Sequence, residues 1–99
     1  MELSERIYNG DRAREVLENE AYLAAFADTE QEILTQWKES PARDSEGREK
    51  LWMLLSLMHK LKANLQTTLE TGKLAKLELE HKRSLANRVR DARSAFLQE

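Results

Sequence analysis

A chain of 99 residues is one domain by length, and at this size an extended fold cannot hide its apolar side chains unaided. With 34% charged and 40% hydrophobic residues, three Gly, one Pro and few β-branched side chains, the composition excludes a sheet-rich fold and describes an all-α one. The absence of Cys excludes disulfides, thiol catalysis and Cys-ligated zinc, and suits a reducing compartment.

The amino terminus, Met1-Glu-Leu-Ser-Glu-Arg, lacks the apolar core of a signal peptide, and the longest uninterrupted apolar run, Ala21 to Ala27, is far too short to cross a bilayer. Export by that route and membrane spanning are therefore not expected. The net charge of −2 conceals a gradient. Residues 1–50 hold thirteen acidic and seven basic side chains, 51–72 one and two, and 73–99 four and seven, giving −6, +1 and +3. An acidic front and a basic tail can attract each other within a molecule or between subunits, or mark a surface for an anionic partner.

In chain order, Asn9-Gly10 reads as a turn, and Asp11 offers an N-cap for a short first helix through Arg12-Ala-Arg-Glu-Val-Leu-Glu. Asn19 is a break or a new cap. Ala21 to Glu39 reads as a second helix with Leu23, Phe26, Ile33, Leu34 and Trp37 on its apolar side, so that 11–39 forms the N-terminal helical part. Ser40-Pro41 ends it, because the residue before a proline is steered out of the α region and proline donates no hydrogen bond. Asp44 is placed to cap a long helix with Glu46 and Glu49 in its opening turns. So short a connection predicts an antiparallel hairpin, with Trp37 and Trp52 near one level of it.

Leu51 to Leu69 carries the most regular apolar surface of the chain. At about 100° per residue, Leu54, Leu55, Leu57, Met58, Leu61, Leu65 and Leu69 share an arc of roughly 160°, wider than one neighbouring helix covers. This face predicts a homo-oligomer, with Leu51, Leu54, Met58, Leu61, Leu65 and Leu69 as its interface.

Gly72, in Glu70-Thr71-Gly72-Lys73-Leu74, fits a helix C-terminus with glycine in the left-handed C′ position, which divides the chain into a central helix 44–71 and a C-terminal helix 73–97 within one domain, 1–99. The rival is one uninterrupted helix. Steps of seven from Leu51 reach Met58, Leu65, Gly72, Leu79 and Ala86, with Leu54, Leu61, Thr68, Ala75, Lys82, Val89 and Phe96 at companion sites. Beyond Gly72 the apolar side is Leu74, Leu77, Leu85, Val89, Ala92 and Phe96, joined by His81, and the adjoining arc holds Lys76, Lys82, Arg83, Arg90 and Arg93.

That basic row is the strongest candidate for chemistry. Lys76, Arg83 and Arg90 are spaced seven apart, with Lys82 and Arg93 beside them, and such a row can track the phosphates of nucleic acid. It is equally the pattern of a solvated face, or of charges paired with the acidic front half. The acidic chain and the lack of a helix-turn-helix glycine turn count against a dedicated DNA reader. Glu78 and His81 share the Glu-x-x-His spacing of di-metal bundles, but without further inward glutamates no metal site is expected. There is no nucleophile elbow, partnered base or phosphate-cradling glycine loop, so no enzyme, catalytic residue or cofactor is predicted.

The segment Pro41-Ala-Arg-Asp-Ser-Glu-Gly-Arg-Glu-Lys-Leu-Trp52, followed by the leucine helix and Glu70-Thr71-Gly72-Lys73-Leu74-Ala75, resembles small all-helical proteins of tailed bacteriophages and prophages. The resemblance covers the middle of the chain and lies in its pattern. It implies a viral protein in the bacterial host cytoplasm or the virion, non-enzymatic, acting in assembly or packaging through contacts with another phage or host protein. A nucleic-acid-binding module such as a small terminase-type subunit, and an inhibitor of a host defence protein, are the other functions this kind of protein performs.

Overall fold

The computed structural model describes residues 1–97, so the last two positions of the expected 1–99 domain lie outside the described residues. It consists of three helices, α1 (Leu3–Glu18), α2 (Glu20–Glu39) and α3 (Ser45–Leu97), with no strand among the described residues. The all-α class is as expected. Three of its boundaries follow from local chemistry. Asn19 adopts extended backbone, and its side-chain oxygen accepts from the Tyr22 N–H at 2.9 Å, so one residue ends α1 and caps α2. Ser40 leaves the α region ahead of Pro41. Asp44 accepts from the Gly47 N–H at 3.1 Å and starts α3.

The turn reading of Asn9-Gly10 needs correction, and of the two readings of Gly72 the uninterrupted helix is the one adopted. Asn9-Gly10 is not a turn, and α1 runs through it from Leu3, well ahead of the expected start after Asp11. Nor does Gly72 end a helix: α3 is a single 53-residue helix, and the division into 44–71 and 73–97 does not exist. No glycine has a positive φ. The two are needed for closeness. A Cβ on Gly72 would stand 2.8 Å from the Cα of Gly10 and 3.0 Å from the Arg6 carbonyl oxygen, and one on Gly10 would stand 3.3 Å from the Thr68 carbonyl oxygen. Glycine within a helix costs about 1 kcal/mol against alanine. The backbone approach of α1 to α3 offsets that cost.

Contacts march in opposite directions along the hairpin, as the short connection predicts. Trp37 and Ile33 line a notch with Leu51, Trp52 and Leu55, Glu30 meets His59, and Phe26 lies under Lys62, whose ammonium is 4.8 Å from the ring centroid. Farther along α3, α1 docks at Gly72. The residues of α3 that are half-buried or buried include Leu51, Leu55, Met58, Lys62, Leu65, Leu69, Gly72, Lys76 and Leu79, at alternating spacings of four and three. That is the coiled-coil period, and it carries the covered face along the helix without drift.

The interior is thin. The buried hydrophobic residues are Ala13, Ile33 and Ala75, and every residue from Glu80 to Leu97 is exposed. The molecule measures 85 × 25 × 16 Å with a radius of gyration of 23.3 Å, against about 13 Å for a compact domain of this length.

Candidate interaction surface

The six leucine-face residues expected to form an interface do not share one fate. Leu51, Met58, Leu65 and Leu69 are half-buried within the chain, whereas Leu54 and Leu61 stand 52% and 61% exposed. Leu57, between them, is 62% exposed. The companion column of the seven-residue register is therefore bare at Leu54 and Leu61, and covered only at Thr68 and Ala75, in the part of α3 that meets α1. Beyond α1 it is bare again at Val89 and Phe96, 59% and 78% exposed. Leu54, Leu57, Leu61, Asn64, Thr68, Thr71, Ala75, Glu78, Lys82, Leu85, Val89, Ala92 and Phe96 are spaced alternately three and four apart. This second seam is apolar at both ends and small or polar in the middle. Its bare ends are where a partner would gain apolar contact.

The basic residues are divided as well. Lys76 donates to Asp11 at 2.7 Å, across α3 and α1, so it is half-buried and committed within the molecule. That hydrogen bond, reinforced by the charges of Lys76, Arg14 and Arg12 against a smaller opposing effect of desolvation, holds the Asp11 carboxyl below its ordinary value. Lys82 pairs loosely with Glu78 at 3.6 Å on its own helix. Arg83, Arg90 and Arg93 are exposed and make no ion pair among the described residues. The Lys76–Arg83–Arg90 row thus loses its first member to intramolecular pairing.

No known protein family, curated protein or solved structure matches the chain.

Arg48 is a structural residue that the sequence reading missed. Its guanidinium lies 4.0 Å from the centroid of the Trp37 ring and donates to the Trp37 carbonyl at 3.0 Å and the Ser40 hydroxyl at 2.9 Å. A cation thus caps the negative end of α2 and fixes the hairpin turn. His59 hydrogen-bonds Glu30 and stacks on Phe26, with ring centroids 6.0 Å apart. Glu78 and His81 are exposed, and no group of three or more metal-ligating side chains exists among the described residues. Nor, among those residues, is any helix long and apolar enough to cross a membrane. The notch formed by Ile33, Leu34, Trp37, Leu51, Trp52 and Leu55, about 200 Å³, is lined by apolar side chains alone. It suits a hydrophobic side chain from a partner.

Proposed function

We propose that this protein is a non-enzymatic, self-associating helical protein that acts by binding other chains. The observation that carries the reading is its accessible surface of 8074 Å², about 2,300 Å² more than a compact chain of its mass exposes. The excess is comparable to the area that obligate subunits bury. Part of the exposed surface is apolar and lies at the bare ends of the second seam, at Leu54, Leu57, Leu61, Val89 and Phe96, where association removes it from water. The resemblance of residues 41–75 to small helical proteins of tailed phages supplies the setting: assembly or packaging within an infected bacterium or the particle, with another phage or host protein as the further partner.

Arg83, Arg90 and Arg93, exposed on the bare end of α3 and without an ion pair among the described residues, favour nucleic acid as a second class of partner, as in a small packaging subunit. Light scattering coupled to size exclusion, at low and high salt with and without a short duplex DNA, tests both readings. A homo-oligomer indifferent to DNA is the expected result. A monomer at micromolar concentration would overturn it, and DNA uptake confined to low salt would move the assignment to the packaging subunit.

A further inference from the structure

Two bare segments of α3 complement each other in period and charge. The first is the stripe Leu54, Leu57 and Leu61, on the part of α3 between its start at Ser45 and the docking place of α1 around Thr68 and Gly72. At 1.5 Å per residue the stripe from Leu54 to Leu61 is about 10 Å long. The second is the tail, residues 81–97, an exposed helix about 26 Å long. Its Leu85, Val89, Ala92 and Phe96 continue the seam to which the stripe belongs.

The tail carries Lys82, Arg83, Arg88, Arg90 and Arg93 against Asp91 alone, a net +4 with His81 neutral. The helix bordering the stripe, α2, carries Glu20, Asp28, Glu30, Glu32 and Glu39 against Lys38, a net −4. Two tails packed together would oppose two charges of +4, and two stripes packed together would leave both tails bare. A tail on a stripe covers both apolar segments in one contact and sets opposite charges side by side.

We propose that the tail of one copy seats as a helix on the Leu54–Leu57–Leu61 stripe of a second copy, alongside α2. The self-association inferred above takes this form, and the inference rests on that reading. Exchanged reciprocally, the contact closes a dimer; passed on in one direction, it builds a ring or filament.

Because the chain has no cysteine, single cysteines report the pairing without background. Full-length L57C is mixed in turn with full-length L85C, V89C and F96C, so that the register need not be known beforehand. After mild oxidation the products are separated without reductant and identified by mass, and circular dichroism of each variant checks that its helix content is unchanged. Disulfides require Cα atoms within about 7 Å, so a link reports direct seating. The expected result is a mixed disulfide between L57C and at least one tail variant, in several-fold excess over either self-linked product. Predominant L57C–L57C or tail–tail links, or an oligomer that yields no link, would overturn tail exchange and leave self-association standing. A monomeric mass by light scattering would overturn both.

Discussion

Replacing Gly72 by Ala sets two effects of opposite sign against each other. Helix propensity alone makes the substitution stabilising by about 1 kcal/mol, since Ala restricts the unfolded chain and suits a helix interior. The contact with α1 makes it destabilising. The new Cβ would lie 2.8 Å from the Gly10 Cα and 3.0 Å from the Arg6 carbonyl oxygen, and both obstructions are backbone, which no rotamer change can move aside. To reach an ordinary contact near 3.4 Å or beyond, α1 must retreat by several tenths of an ångström along its docked length. Overpacking of this kind costs about 1–3 kcal/mol. With unyielding obstacles the upper part of that range applies, and the net expectation is a loss of about 1–2 kcal/mol, concentrated in α1. Urea unfolding followed by circular dichroism at fixed protein concentration gives the global value, and amide exchange in α1 locates it. Gly10→Ala should behave alike. The double variant should cost less than the two single losses combined, because α1 has already lifted. A gain near 1 kcal/mol for G72A would refute the close approach of the two helices.

Arg48→Ala should destabilise the hairpin by about 1–2 kcal/mol and shift the Trp37 fluorescence, with Arg48→Lys recovering less than half because an ammonium cannot both stack on the indole and bridge two oxygens. Asn19→Ala should cost about 1 kcal/mol through the lost cap, read by thermal unfolding; an unchanged midpoint would show that the cap holds nothing. The depressed Asp11 carboxyl stabilises the fold in its ionised form, so this contribution is fully present above its ordinary value of 3.8 and is lost as pH falls through its lower folded value. Amide exchange in α1 should therefore quicken in acid below that point, and Asp11→Asn should remove the acid dependence; equal acid sensitivity in the two proteins would place the effect elsewhere.

The hairpin was legible because its determinants are local. Ser40-Pro41 and Asp44 act on backbone within a few residues, and each has a single plausible use at its position. Gly10 was misread, and Gly72 stayed open between a helix end and an uninterrupted helix, because glycine serves both left-handed turns and close approaches, and the chemistry that decides between them lies on a different helix, far along the chain. Leu3, Ile7, Ala13 and Leu17 do show the spacing of a helix face around Gly10, a signal that Asn9-Gly10 obscured. The leucine arc is wider than the part of it that is covered, because α2 and then α1 lie end to end along one narrow face of α3. What it could not show is that α1 and α2 cover Leu51, Met58, Leu65 and Leu69 only in part and leave Leu54, Leu57 and Leu61 bare. Arg48 escaped notice because its partners, Trp37 and Ser40, come together only when the turn closes.

The unbroken path of α3 through Gly72 gives the molecule a ruler. Its 53 residues hold the Pro41 end and the tip of the tail about 80 Å apart, at a fixed angle about the helix axis. Whatever is bound at one end is thereby phased against whatever is bound at the other. One residue inserted near Glu80 would lengthen the rod by only 1.5 Å but swing the tail by about 100°, turning Val89 and Phe96 away from their heading. Seven residues would add about 10 Å and return them to within about 20° of it. Length and azimuth are thus separately adjustable in this chain, and a partner that reads both would tolerate the longer insertion better than the shorter one.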